Sequence, residues 1–245
     1  MNNFFDLTIE RGSGVGFGRF SPCHFLWLGL GAAVMAALCI IYKKSGAAAR
    51  RRLRLSLAFT ALGLELVRAA LLAAAGRYGL GTLPLHLCIM AVYLCALHAL
   101  RGGRLTGQFL YAFCMPGAVA ALLFPDWVYY PAWHFMTLCS FLLHILITAY
   151  VLMQITGGDI VPDVRSAPAC LGIMLLIAIP VYIFDRLMGT NYMFLNWPSP
   201  GSPLEWFAFL GRPGYLLGYL PLLAAAWAVI YGSAWILDKD REQSS

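Results

Sequence analysis

Apolar residues run along this chain in long blocks, broken by brief polar or Gly/Pro-rich interruptions rather than alternating with polar positions as in a half-buried strand. A helix that crosses the hydrocarbon core of a bilayer needs about 20 such residues. Seven blocks meet that length, at 23–42, 54–76, 82–100, 105–124, 132–153, 167–186 and 214–237. The pattern predicts an all-α polytopic membrane protein, a bundle of about seven transmembrane helices forming one domain over 23–237. It leaves an amino-terminal segment at 1–22 and a tail at 238–245.

The connections refine this picture. RGGR at 101–104 and PDWVYYP at 125–131 are short, so the third, fourth and fifth spans should be antiparallel neighbours sharing one cavity. Trp127, Tyr129, Tyr130 and Trp133 cluster where an outer membrane interface is expected, the setting amphipathic rings prefer. The connection at 187–213 is rich in Pro, Gly and aromatic residues, and connections beyond about 12–15 residues are usually functional or disordered. It is too apolar for disorder, and is expected to form a lid on the outer membrane surface. Seven spans do not divide into the inverted repeats of many transporters.

Composition agrees with the pattern: 61% of residues are hydrophobic and 11% charged, against about 25% charged in a soluble domain. The net charge of +6 would suggest nucleic acid if it were spread over a surface. It is concentrated instead in KKSGAAARRRLR, which carries Lys43, Lys44, Arg50, Arg51, Arg52 and Arg54 between the first two spans. Such a block should face the cytoplasm. Alternation then puts eleven basic residues inside and five outside, with Arg68 within a span. The amino terminus is therefore expected outside and the carboxyl terminus in the cytoplasm of a multi-pass cell-membrane protein. Asp6, Glu10, Arg11 and Arg19 interrupt the first 22 residues, so no cleavable leader is expected there. Seven cysteines (Cys23, Cys39, Cys88, Cys95, Cys114, Cys139 and Cys170) fall mostly inside apolar blocks without finger spacing, and no metal or cofactor is expected.

The candidate chemistry lies in ionisable residues within the spans, where each costs about 2.5–3.5 kcal/mol to insert. Glu65 and Arg68 are three apart on the second span and can pair, either to lock the bundle or to serve a site. The block from Thr82 to His98 holds His86, Cys88, Cys95 and His98. At about 1.5 Å of rise per residue, Arg68 and Cys88 would both lie about 9 Å below the outer surface, with His144 and Glu65 one layer deeper. Thr137, Ser140, His144 and Thr148 trace a polar stripe on the fifth span, which interhelical hydrogen bonding would explain as well as a cavity. A neutral histidine beside a thiol can act as its base, which selects Cys88 and His144, although a single membrane cysteine is more often a small inert hydrophobe. His86 is two positions from Cys88, about 200° around a helix, and the two could share a pocket only if Pro84 distorts the backbone. His24, His98 and His134 are expected to be satisfied groups near the interfaces.

LPLHLC at 83–88, the Glu65/Arg68 span, SFLLHILITAY at 140–150 and above all NYMFL at 191–195 resemble the bacterial YwaF-type integral membrane proteins, a family related to animal transmembrane protein 164. The resemblance covers roughly residues 20 to 240. It implies a seven-helix fold similar to that of the membrane hydrolases acting on fatty acid esters of hydroxy fatty acids. It also implies acyl transfer between phospholipids through a cysteine nucleophile with a histidine partner. Carried over, these are Cys88 and His144. Many bacterial members carry Gln where this chain has His86, so His86 is not essential to the implied mechanism.

The expectation is thus a membrane-embedded acyltransferase or lipid ester hydrolase working through a thioester. Cys88 and His144 would be catalytic, and Glu65, Arg68, His86, Asn191 and Tyr192 would line the substrate. Arg68 would grip a lipid phosphate, and Asn191 and Tyr192 would donate to an oxyanion or a headgroup. The expected partners are membrane lipids, either phospholipid or fatty-acyl ester, and not nucleic acid; oligomeric state is not indicated. The alternatives are a transporter or channel with Glu65, Arg68 and His144 lining its path, and a noncatalytic scaffold.

Overall fold

The computed structural model describes residues 3–9 and 11–243, with side chains described for 4–9 and 11–235. Glu10 and the side chains of the expected tail at 238–245, Lys239 and Arg241 included, lie outside the described residues. All regular elements among the described residues are helical: α1 Pro22–Lys44, α2 Ala47–Ala74, α3 Leu87–Arg101, α4 Arg104–Leu123, α5 Phe135–Gly157, α6 Ala167–Met188 and α7 Tyr219–Gln243. Six helical segments are long and apolar enough to cross a membrane, and α3 is a shorter apolar helix. This is a multi-pass, all-α membrane protein. The chain divides into two compact units, residues 1–160 and 161–245.

In the first unit α5 is the hub, packing against α1, α2, α3 and α4. Its core positions, among them Phe141, Ile147, Tyr150 and Met153, are buried on every side. His134 caps its amino end by accepting the Met136 N–H on Nδ1, and Gly158 ends it in the left-handed conformation.

Only Ser45 and Gly46 separate α1 from α2, so the basic block is not the loop expected at 43–54. Lys43 and Lys44 close the last turn of α1, and the arginines occupy the first turns of α2, because Ala and Arg are strong helix formers. Arg50 shows what the helix gains from this placement. Its guanidinium donates to the carbonyls of Tyr42 (3.1 Å), Lys43 (3.1 Å), Ser45 (3.0 Å) and Gly157 (2.7 Å). Carbonyls left over at the ends of α1 and α5 are thereby satisfied by one side chain. Gly157 permits the approach, since a Cβ there would fall 2.6 Å from the Tyr42 ring.

The third span is also shorter than its apolar pattern. Residues 82–86 form turns, begun by Thr82 Oγ1 bonding both the N–H (2.8 Å) and the carbonyl (2.9 Å) of Gly79, and α3 starts only at Leu87. Pro84 disfavours helix at the residue before it and removes a donor, which accounts for the delay. In α4, residues Leu110–Cys114 widen into a π turn, with the Met115 N–H bonding the Leu110 carbonyl. Pro116 follows directly and has no N–H for the carbonyl of Ala112, a sufficient cause for the wider turn.

The amino-terminal segment packs on the 125–134 connection. Arg11 pairs with Asp126 at 2.8 Å, Arg19 donates to the Pro125 carbonyl, the Phe17 N–H to Val128, and the His134 Nε2–H to Asp6. Trp127 and Tyr130 are consequently buried, and only Trp133 of the four expected interface aromatics is exposed. A covering segment, rather than lipid headgroups, occupies the space above them.

In the second unit, α6 leads into three short 3-10 turns, Tyr192–Phe194, Pro203–Leu210 and Gly214–Gly218, before α7. Asp185 organises the first turn, accepting from the Thr190 hydroxyl (2.6 Å) and the Tyr192 N–H (3.0 Å).

Burial holds the His134 imidazole below its ordinary pKa. Below about pH 6.5 the unfolded chain then binds more protons than the folded one, so stability falls as pH drops through that value. Protonation also removes the lone pair that caps α5. His134→Asn keeps a capping oxygen without titrating, so its Tm in detergent should vary less between pH 7 and pH 5 than that of the native protein.

Candidate functional site

Helices α2, α3 and α5 contact one another pairwise in the first unit, and the candidate residues sit on these three. Glu65 and Arg68 on α2 form a closed fork: Arg68 Nε donates to Oε2 and Nη2 to Oε1 of Glu65, both at 2.7 Å. Their side chains are 4% and 12% exposed. The face of the guanidinium expected to grip a phosphate is therefore occupied by Glu65, leaving Nη1 and one Nη2 hydrogen to face anything else.

His144 is buried on α5, and its Nδ1–H donates to the Ser140 carbonyl one turn back at 2.6 Å. A carbonyl can only accept, so this bond fixes the tautomer and leaves Nε2 with its lone pair. The ring is stacked on Trp127, with centroids 4.9 Å apart and planes 19° from parallel. The two threonines of the polar stripe are satisfied along the helix and its entry loop: Thr148 Oγ1 donates to the His144 carbonyl and Thr137 Oγ1 to the Pro131 carbonyl. No partner helix is needed for these bonds.

Cys88 is the second residue of α3 and is half-buried. Cys88 lies close enough to Glu65, Arg68 and Asp126 to feel their charges. The positive end of the α3 dipole favours a thiolate there, whereas apolar surroundings oppose one, so a base is needed to draw the proton off. His86 is not on the helix at all: it is the N-cap, with extended backbone (φ −72°, ψ 141°). The 200° separation expected on a regular helix does not apply, and His86 falls within electrostatic range of His144.

Two contributors escaped the sequence pattern. Asp126 is within electrostatic range of both Cys88 and His144. Trp127 lies against the imidazole, and its buried indole Nε1–H has no hydrogen-bond partner. Both belong to the connection that reads as an interface loop. Ser140 was legible, since it sits four residues before His144. Cys139 adds a second thiol within range of Arg68 and Glu65.

Asn191 and Tyr192 belong to the second unit and are engaged within it. Asn191 Oδ1 accepts from the N–H groups of Asn196 (2.9 Å) and Trp197 (3.0 Å), and its Nδ2 donates to the Trp197 carbonyl at 2.9 Å. Met193 and Phe194 take positive φ, and their carbonyls accept from Tyr219 and Tyr215 respectively. These bonds give NYMFL a role in folding its own loop. His24, His98 and His134 are buried; both ring nitrogens of His24 and of His134 are bonded, those of His24 to the Phe20 N–H and the Leu122 carbonyl, and Nδ1 of His98 bonds the Tyr150 hydroxyl. Among the described residues no group of three or more His, Cys, Asp or Glu side chains could hold a metal ion.

A family model, that of the TMEM164 family, matches residues 19–231 and so takes in all five candidate residues of the first unit and both of the second. The chain belongs to the TMEM164 family. No curated protein and no solved structure matches it. Membership in the TMEM164 family agrees with the multi-pass architecture and covers α1 through most of α7.

Breaking the closed fork separates its structural part from any part in a site. Glu65→Ala strands a nearly buried cation and should lower unfolding stability by about 3–5 kcal/mol, whereas the double variant Glu65→Leu/Arg68→Met should recover most of that loss. Chemical denaturation of the three proteins in detergent measures both values.

Proposed function

We propose that this chain is a membrane-embedded enzyme that moves or releases a fatty-acyl group through Cys88, with His144 as its base. Nε2 of His144 takes the thiol proton, and the sulfur attacks the carbonyl carbon of a lipid ester. The ester C–O bond breaks, the departing alkoxide takes the proton back from His144, and a thioester remains. Water, or the hydroxyl of a second lipid, then attacks the thioester with its proton passing to Nε2. The thiolate leaves and is reprotonated.

The single observation that carries this reading is the 2.6 Å bond from His144 Nδ1–H to the Ser140 carbonyl, which leaves Nε2 as the acceptor on a helix in contact with the one that bears Cys88. Further support comes from the placement of Cys88 at the positive end of α3 and from its partial exposure. Substrates of this reading are phospholipids or other fatty-acyl esters. The chain would act in the cell membrane, and within its family it would group with the YwaF-type proteins. Glu65 would hold Arg68 so that its remaining N–H groups meet a headgroup, and His86 would lie beside the reacting ester without taking part in proton transfer.

A second reading has its own observation: the closed Glu65–Arg68 fork is what a noncatalytic scaffold would need. Purified protein in mixed phospholipid micelles, assayed for release or exchange of a labelled acyl chain, separates the two. Cys88→Ala should lower turnover at least about a thousandfold. His144→Ala should lower both turnover and labelling of Cys88 by a thiol-directed acyl probe by about a hundredfold or more. Full turnover in Cys88→Ala would end the proposal, and solute uptake into proteoliposomes requiring Glu65 but not Cys88 would replace it with transport.

A further inference from the structure

At the opposite end of the first unit from the His134 cap, where α1 meets α2, lies a cavity of about 200 Å³ lined by Ser45, Ala47, Arg50, Arg54 and Asp159. Its two arginines are not equivalent. Arg50 is committed to four backbone carbonyls and holds helix ends together. Arg54 has one long contact, Nη1 to Asp159 at 3.4 Å, while its Nε–H is buried without a partner. Asp159, the one acid in the lining, is already shared by the Tyr42 hydroxyl, Arg50 and Arg54. Positive charge therefore exceeds negative charge here, and Lys43, Lys44, Arg51 and Arg52 stand nearby in sequence without an acid among them.

The backbone adds to the same imbalance. Ala47, which lines the cavity, opens the 28-residue α2, whose N-cap Gly46 makes no side-chain capping bond and whose first turn holds no acid. Arginines crowd an end where the helix dipole is already positive, the reverse of the favourable arrangement. A bound anion would satisfy the open N–H groups and the excess charge together.

We propose that this cavity binds a phosphate group. Tetrahedral oxygens accept from backbone N–H groups and a guanidinium at once, and the volume suits a phosphate with a small substituent rather than a whole lipid. Two sources share this chemistry: the headgroup phosphate of an anionic phospholipid in the leaflet beside the basic end of α2, and free phosphate. The site is separate from Cys88 and rests on none of its chemistry.

The full chain in uncharged detergent, its Tm followed by tryptophan fluorescence, is titrated with dioctanoyl phosphatidylglycerol, dioctanoyl phosphatidylcholine and inorganic phosphate. The anionic lipid should raise Tm by several degrees and the zwitterionic lipid much less. A comparable rise with inorganic phosphate identifies the free ion as a sufficient occupant, and a rise with the lipid alone identifies the headgroup. Arg54→Gln should shift the titration midpoint at least tenfold. Ala47→Glu places a carboxylate where the anion would sit, so it should raise Tm without lipid and abolish the response, which keeps the test open if Arg54→Gln does not fold. Equal rises with both lipids, or a native response in Ala47→Glu, overturns the proposal.

Discussion

The constraint on which this structure depends is that a polar group placed among apolar helices has no water to fall back on, and must find its partner within the protein. Helix α5 shows the solution most fully. The hydroxyls of Thr137 and Thr148 and the central imidazole of His144 bond carbonyls of the preceding turn or of the entry loop, so a helix bearing these polar residues can still pack against four neighbours. Arg50 applies the same solution to helix ends, and Glu65 with Arg68 applies it to charge. Each polar side chain is thereby held in one position by bonds that would be costly to lose.

This has chemical consequences at His144. Histidines 24, 134 and 144 each donate one ring N–H to a backbone carbonyl. In the first two, the other nitrogen accepts from a backbone N–H, and the ring is used up in holding structure. His144 differs because the bond to Ser140 orients the ring, the Trp127 stack fixes its plane, and Nε2 is left over. The same device that satisfies a buried group can leave a reactive atom facing a chosen direction.

What the sequence disclosed follows from which forces act locally. Apolar block length located all seven helices, because the bilayer sets a length that composition alone must meet. The helical period of the polar stripe singled out His144, and ionisable residues within a span marked Glu65 and Arg68. The delayed start of α3 was hidden because Leu83, Leu85 and Leu87 are as apolar in a turn as in a helix; only Pro84 hinted at it. Trp127 was misplaced for a related reason. Its composition suits a membrane interface, and only the docking of residues 11–19 onto the 125–128 connection, a long-range contact without a local signal, takes it inside. The resemblance singled out NYMFL as a source of substrate-lining groups, whereas the hydrogen bonds of Asn191 serve the loop itself.

The shortness of α3 carries one more implication. Fifteen residues extend about 22 Å, some 8 Å less than the hydrocarbon thickness of a typical bilayer. With Arg101 at one boundary, the other end of α3 stops short of the opposite headgroups, and the turns over 79–86 take up the chain beyond it. Cys88, thirteen residues from Arg101, then lies about 20 Å from that boundary and about 10 Å inside the hydrocarbon, below the glycerol linkages of the lipids around it. On the acyl-transfer reading, a lipid would have to draw its ester linkage inward, toward the space left by the shortened helix, before the sulfur could reach it.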